Sequence, residues 1–157
     1  FRWTLDIVQK ESVQLKYSWH QLFVERDAAN AAWIAALDQR PDEAVELEAF
    51  VSRFSRMQDN MADKLIPRWL ACQAERVGSQ IENLNRAERL GVIESTEHWL
   101  IARKLRNQLV HEYMNDPEAF AALLAEVKHL TQMLLDTFDR IVAHAKGHKL
   151  MSGDHFE

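Results

Sequence analysis

Only four Gly and three Pro interrupt 157 residues, where average usage of about 12% would supply roughly 19. A sandwich or barrel of many short strands needs turn formers far more often than that. The scarcity of breakers therefore predicts an all-α chain. With 47% hydrophobic residues, five Trp and seven Phe, there is enough apolar material for a sizeable core, and the length fits one domain. Disorder as the main state is excluded on the same ground. A single cysteine, Cys72, rules out an intramolecular disulfide or a Cys-based zinc site. No signal-peptide pattern opens the chain, and no apolar run reaches the roughly 18 residues of a membrane span. The expectation is a cytoplasmic protein without a membrane partner.

The apolar periodicity divides the chain into helices. Leu5, Val8, Leu15, Trp19, Leu22, Ala29, Trp33 and Ala36 recur at three- and four-residue spacings with two seven-residue gaps, which predicts one long amphipathic helix from residue 1 to about 38 whose stripe serves two packing partners. Pro41 followed by Asp42 and Glu43 reads as the start of a second helix, with Leu47, Phe50, Val51, Phe54, Met57, Met61 and Leu65 as its apolar face. Pro67 is expected to end or kink that helix, and Gly78 to stop the short piece carrying Trp69 and Leu70. Ser79 and Glu82 form a capping box for a helix closed by Gly91. Ser95 is placed to cap a helix over about 96–113, and Asn115-Asp116-Pro117 breaks it before a last helix from Pro117 to near His144. The economical architecture is an up-down bundle of four or five helices with a long N-terminal helix. It occupies one domain, 1–146, followed by a flexible tail, 147–157.

The formal charge of −5 argues against a protein that coats nucleic acid or anionic membrane through bulk charge. The charge is unevenly placed, however. Residues 38–52 hold five acids and one base, whereas 98–111 (HWLIARKLRNQLVH) contain Arg103, Lys104, Arg106 and two His with no acid at all. Within that stretch lies Arg106-Asn107-x-x-x-His111-x-Tyr113. At this composition an Arg followed by His after four to six residues is expected by chance about 1.6 times. Adding the Asn and the Tyr lowers the expectation to on the order of 10⁻⁴–10⁻³.

The segment RKLRNQLVHEY resembles the Arg-x4-His-x-Tyr signature of the HEPN superfamily (higher eukaryotes and prokaryotes nucleotide-binding domains), in particular HepT-like toxins encoded beside minimal nucleotidyltransferases. FVSRFSRMQDNMADKL, GSQIENLNRAERLG, the Trp before the motif helix and the Pro-started last helix are similar in order and spacing, so that the likeness covers about residues 45–145. It implies a helical bundle that forms a homodimer and cleaves RNA without metal through Arg106 and His111. It also implies neutralisation by a cognate nucleotidyltransferase antitoxin that adenylylates Tyr113, and a position for Asp59 near the site. The alternative is a non-catalytic HEPN module that binds a nucleotide or nucleic acid, or serves a nucleotidyltransferase as its substrate-binding subunit.

The residues suit that chemistry. Metal-independent cleavage of RNA needs a base for the 2′-hydroxyl, an acid for the leaving 5′-oxygen and a cation for the charge developing on phosphate. An imidazole, with a reference pKa of about 6.5, is suited to the proton transfers at His111, and the Arg106 fork can hold two phosphate oxygens. Asn107 can orient the scissile group, and Arg103 and Lys104 are possible RNA contacts. On a regular helix Arg106 and His111 stand about 140° apart. Either the helix distorts near its end, or two chains pool their motifs across a two-fold axis. Tyr113, about 20° from Arg106 on the same stripe, is placed as a supporting contact and as an acceptor whose modification adds negative charge to the cleft. No cofactor is called for. His144 and His148 have the i, i+4 spacing of a metal pair, but Gly147 interrupts the helix and no third ligand has suitable spacing, so no metal is expected. Cys72 beside Trp69 reads as a small buried hydrophobe.

Overall fold

The computed structural model describes residues 1–111 and 116–148, and among these there is no strand. The helices are α1 (Arg2–Phe23), α2 (Ala31–Ala35), α3 (Pro41–Asn60), α4 (Ile66–Cys72), α5 (Gln80–Arg89), α6 (Thr96–His111) and α7 (Pro117–Gly147). A 3₁₀ turn, Leu37–Gln39, leads into α3, and a π-helical segment, Met61–Leu65, joins α3 to α4. The all-α bundle with a long N-terminal helix is thus the fold. None of the described helices is long and apolar enough to cross a membrane.

The N-terminal helix is shorter than its periodicity suggests. It stops at Phe23, and Asn30 opens a new helix from an extended conformation, accepting from the Ala32 and Trp33 backbone N–H groups at 2.8 and 3.4 Å. The apolar spacing carries across the break because both helices face the same interior. Leu15 and Leu22 on α1 and Trp33 and Ile34 on α2 are all buried. The connecting loop is held down by Arg26, which meets Glu43 at 2.6 Å and Glu46 at 2.5 Å. Two of the five acids of 38–52 are thereby engaged within the fold.

Helix α1 packs chiefly on α3, and three polar pairs fix its direction. Ser18 accepts from Arg53, Glu11 from Asn60, and Thr4 from Arg68, so one helix descends as the other rises. Trp19 of α1 donates its indole N–H to the Lys128 carbonyl of α7 at 3.0 Å, so the α1 stripe does serve two partners. Phe50, Phe54, Trp69, Trp99, Phe120 and Phe138 are fully buried at the centre. Each large apolar side chain withdrawn from water contributes roughly 1.5–3 kcal/mol.

Pro67 does not end the helical rod, but the regular α-helix is interrupted directly before it. The chain widens to a π turn just before it, where the Ile66 N–H bonds to the Met61 carbonyl five residues back. A proline ring clashes with the carbonyl four residues earlier in α-register, and the wider turn changes that register. The helix ends instead at Cys72, well before Gly78. Ala74 takes the left-handed conformation (φ +56°), and the Glu75 N–H reaches back to the Leu70 carbonyl at 3.0 Å. This is the glycine-type C-terminal cap with an alanine in the glycine position.

The other boundaries follow the sequence signals. Ser79 and Glu82 make the reciprocal capping box, and Gly91 (φ +80°) closes α5. Ser95 Oγ accepts the His98 N–H at 3.2 Å, and Asp116 caps α7 by accepting from Ala119. Cys72 is half-buried rather than enclosed, and burial pushes its thiol up from the ordinary value. His144 and His148 stack ring on ring at 4.2 Å. No group of three or more His, Cys, Asp or Glu could hold a metal ion among the described residues. The tail beyond residue 148 lies outside the described residues.

Candidate functional site

Helix α6 lies against α3, α5 and α7, with Trp99, Ala102, Leu105 and Leu109 turned into the core. That apolar stripe leaves the polar residues of the motif region on the opposite flank. Arg103, Lys104 and Asn107 are exposed, while Arg106 is partly buried. Its Nη2 donates to Asp59 Oδ2 of α3 at 2.8 Å. Asp59, given a place near the site by the resemblance alone, is therefore the residue that fixes the guanidinium. Partial burial pushes the Asp59 carboxyl up from the ordinary value, with Asp63 adding to the effect, while Arg106 and Arg103 pull it down. The nearby acid and the partial loss of water outweigh the two cations.

The Asp59–Arg106 pair stands between two cavities. On one side is a cleft of about 530 Å3 bordered by Leu47, Val51 and Leu109 together with the acids Glu48 and Asp59 and the arginines Arg56 and Arg106. Arg56 brings a second guanidinium to this cleft, a contribution not anticipated from the motif. On the other side is a smaller, polar cavity of about 210 Å3, to which Gln58, Asp63, Gln80, Trp99 and Arg103 contribute together with the same Asp59 and Arg106. Here a side-chain chain crosses three elements. Arg103 Nη1 donates to Gln80 Oε1 at 2.6 Å, and Gln80 Nε2 donates to Asp63 Oδ1 at 2.8 Å. Gln80 reaches this position because the Ser79 capping box starts α5 one residue earlier.

Arg106, Arg103 and Asp59 are thus brought together, whereas Lys104 and Asn107 lie on the exposed flank with no further role apparent from their placement. Helix α6 remains α-helical through His111, so the main chain at residues 106 and 111 stands about 140° apart around its axis. The His111 side chain and all of Tyr113 lie outside the described residues.

No protein-family model, curated protein or solved structure matches this chain. Chemically, the arrangement offers an anion a guanidinium that is oriented from behind by a carboxylate. Beside it are a second arginine in an apolar-walled cleft and a polar cavity of different character. Of the groups at this site, Gln58, Gln80 and Arg56 carried no motif signal. The nearest hint was the capping box that fixes where Gln80 begins its helix.

Proposed function

We propose that this chain is a HepT-like HEPN ribonuclease toxin that cleaves RNA without a metal ion at a site completed by a second copy of itself. The observation that carries the proposal is the Arg106 guanidinium, hydrogen-bonded to Asp59, in the lining of the cleft. A guanidinium oriented in this way can receive two phosphate oxygens. Arg106 and Arg56 neutralise the charge that develops on the phosphoryl oxygens. One imidazole takes the 2′-hydroxyl proton as that oxygen attacks phosphorus, and a second gives a proton to the departing 5′-oxygen, leaving a 2′,3′-cyclic phosphate. His111 supplies one of these groups and the partner's copy the other, because one imidazole cannot act as base and acid in the same step. A nucleotidyltransferase antitoxin silences the protein by adenylylating Tyr113, which adds negative charge. The place of action is the cytoplasm.

A non-catalytic nucleotide- or nucleic-acid-binding HEPN module is the second reading, and the two arginines that line the cleft serve it as well, since binding alone needs no proton-transfer group. Growth after induction, with wild type, Arg106→Ala and His111→Ala, separates the two when paired with RNA cleavage in EDTA. Toxicity and chelator-resistant cleavage lost in both variants support the nuclease. A folded, dimeric wild type that is harmless and cleaves nothing sinks it.

A further inference from the structure

Helix α1 buries one side and leaves a long apolar stripe on the other. Nine large apolar side chains stand exposed among the described residues, and four of them, Trp3, Val13, Tyr17 and Val24, belong to α1 or to the residue that ends it. Trp3 is 68% exposed and Tyr17 65%, and they are the two aromatic members of that set. At about 100° per residue the four side chains fall within roughly 80° around the helix axis. The middle of that arc lies opposite Leu5, Val8, Leu15 and Leu22, the buried side that packs on α3 and α7. Trp and Tyr are enriched where chains meet. A line of apolar side chains running about 30 Å along one helix face marks an interaction site.

Charge narrows what covers it. The same arc carries one acid, Asp6, and one base, Lys10, both exposed, so it has no net charge and suits neither a nucleic acid nor an anionic membrane surface. It is, however, complementary to itself. A second α1 can lie antiparallel across it about a two-fold axis between Val13 and Gln14. Trp3 then meets the second copy's Val24, Lys10 meets the Tyr17 ring, and Asp6 meets the Gln21 amide. These contacts are apolar on apolar, cation on ring and acid on amide donor, with no like charges opposed. An axis at the level of Lys10 sets two lysines against each other, and one at the level of Val8 leaves Tyr17 and Val24 uncovered.

We infer that the outer face of α1 is an interface between two copies of this chain, paired antiparallel about the axis between Val13 and Gln14. Its four aromatic rings and four valines withdraw on the order of 1,000 Å2 in all, about the least that a specific pairing uses. Association through this face is therefore concentration-dependent. On α3, Asp59 reaches α6, whereas Arg53 and Asn60 reach α1, about 100–120° away around the helix. The α1 face thus lies apart from the cleft at Arg106, and its two-fold is not the one that completes the proposed RNA site. A chain with two such self-matching faces builds a tetramer or a longer array. The inference goes beyond the proposed cleavage of RNA and does not depend on it.

Sedimentation velocity of the full chain over a range of concentrations tests the pairing, with Trp3→Ala, Tyr17→Lys and the double variant Lys10→Glu with Tyr17→Lys. All three positions are exposed, and melting curves that match wild type show that the variants fold. Tyr17→Lys sets a lysine against the other copy's Lys10 and should weaken association at least tenfold, halving the mass of the associated species. The halving reads the same whether the site-completing pair is present, tetramer to dimer, or absent, dimer to monomer. Trp3→Ala, at the far end of the stripe, should weaken association about tenfold. The double variant sets a glutamate against the new lysine and should restore the wild-type mass. Equal masses for wild type and Tyr17→Lys at every concentration, which leave the stripe to a different partner, overturn the inference. A double variant that stays at the mass of Tyr17→Lys overturns it as well. RNA cleavage plays no part in this readout, so a wild type that cleaves nothing sinks the nuclease and leaves the α1 pairing to be judged on the masses.

Discussion

Arg106 and Asp59, 47 residues apart in the chain, meet at 2.8 Å across the α3–α6 interface with side-chain exposures of 27% and 44%. A pair this open to solvent contributes about 0–1 kcal/mol to stability. Its value to the molecule lies in aiming a guanidinium. Asp59→Ala is therefore expected to leave the unfolding free energy within about 1 kcal/mol of wild type while reducing the proposed RNA cleavage at least tenfold. Arg106→Lys should not recover activity, because an ammonium cannot reproduce the planar fork. Chemical denaturation beside a cleavage assay checks both. Full activity in Asp59→Ala would mean that Arg106 needs no carboxylate behind it.

A second carboxylate is buried where α1 crosses the end of α3. Glu11 is 9% exposed, accepts from Asn60 Nδ2 at 2.5 Å, and its other oxygen has no partner among the described residues. Burial pushes its carboxyl up, against the hydrogen bond from Asn60 and the charges of Arg56 and Lys64. The folded chain thus keeps this proton at pH values where the unfolded chain has released it. Its contribution to stability is complete below the ordinary carboxylate value and is lost as pH rises through the raised one. Glu11→Gln, which retains an acceptor for Asn60, should melt higher than wild type at neutral pH. The difference between the two should vanish in acid, and parallel melting curves at every pH would contradict the assignment.

Ala74 occupies a left-handed position at φ +56°, which costs a residue bearing a Cβ roughly 1–2 kcal/mol. Ala74→Gly removes that strain at the price of greater freedom in the unfolded chain. A net gain of about 0.5–1 kcal/mol is expected. Equilibrium denaturation in urea reads it directly, and a loss of stability would show that the α4 cap is not strained.

Leu15 is fully buried where α1 meets the rest of the core. Leu15→Ala should cost about 2–5 kcal/mol by lost transfer energy and cavity formation. Ser79→Ala, which removes only the α5 cap, should cost about 0.5–2 kcal/mol. The larger loss in the first variant would place the stability of the fold in the α1 contact rather than in local helix signals. The reverse ranking would count against that view.

Much of the helix plan is visible in the sequence wherever a boundary is made by one side chain acting locally. Ser79, Ser95 and Asp116 each accept the backbone N–H group expected of a cap. The misplaced boundaries depend on distant partners or on unusual backbone. Residues 24–30 break the N-terminal helix with Arg26 anchored on Glu43 and Glu46 of another helix, Pro67 is absorbed by a π turn, and α4 ends on an alanine rather than a glycine. At the site, Arg106 stands out through its spacing to His111 and Tyr113. The Gln80 bridge between Arg103 and Asp63 becomes visible only once α5 and α6 are side by side, because no local pattern records which distant side chains meet.

The π turn at Met61–Leu65 divides one continuous rod into two independent rotational frames. Each residue of an α-helix advances about 100°, so accommodating one extra residue turns everything beyond it by that amount. Asp59 lies just before the change and Trp69, which donates to His144 on α7, lies after it. The face that α3 offers to the motif helix and the face that α4 offers to the last helix are consequently set by separate counts of residues. The offset between those two faces is set by the single residue that the wide turn adds, not by the α-helical repeat.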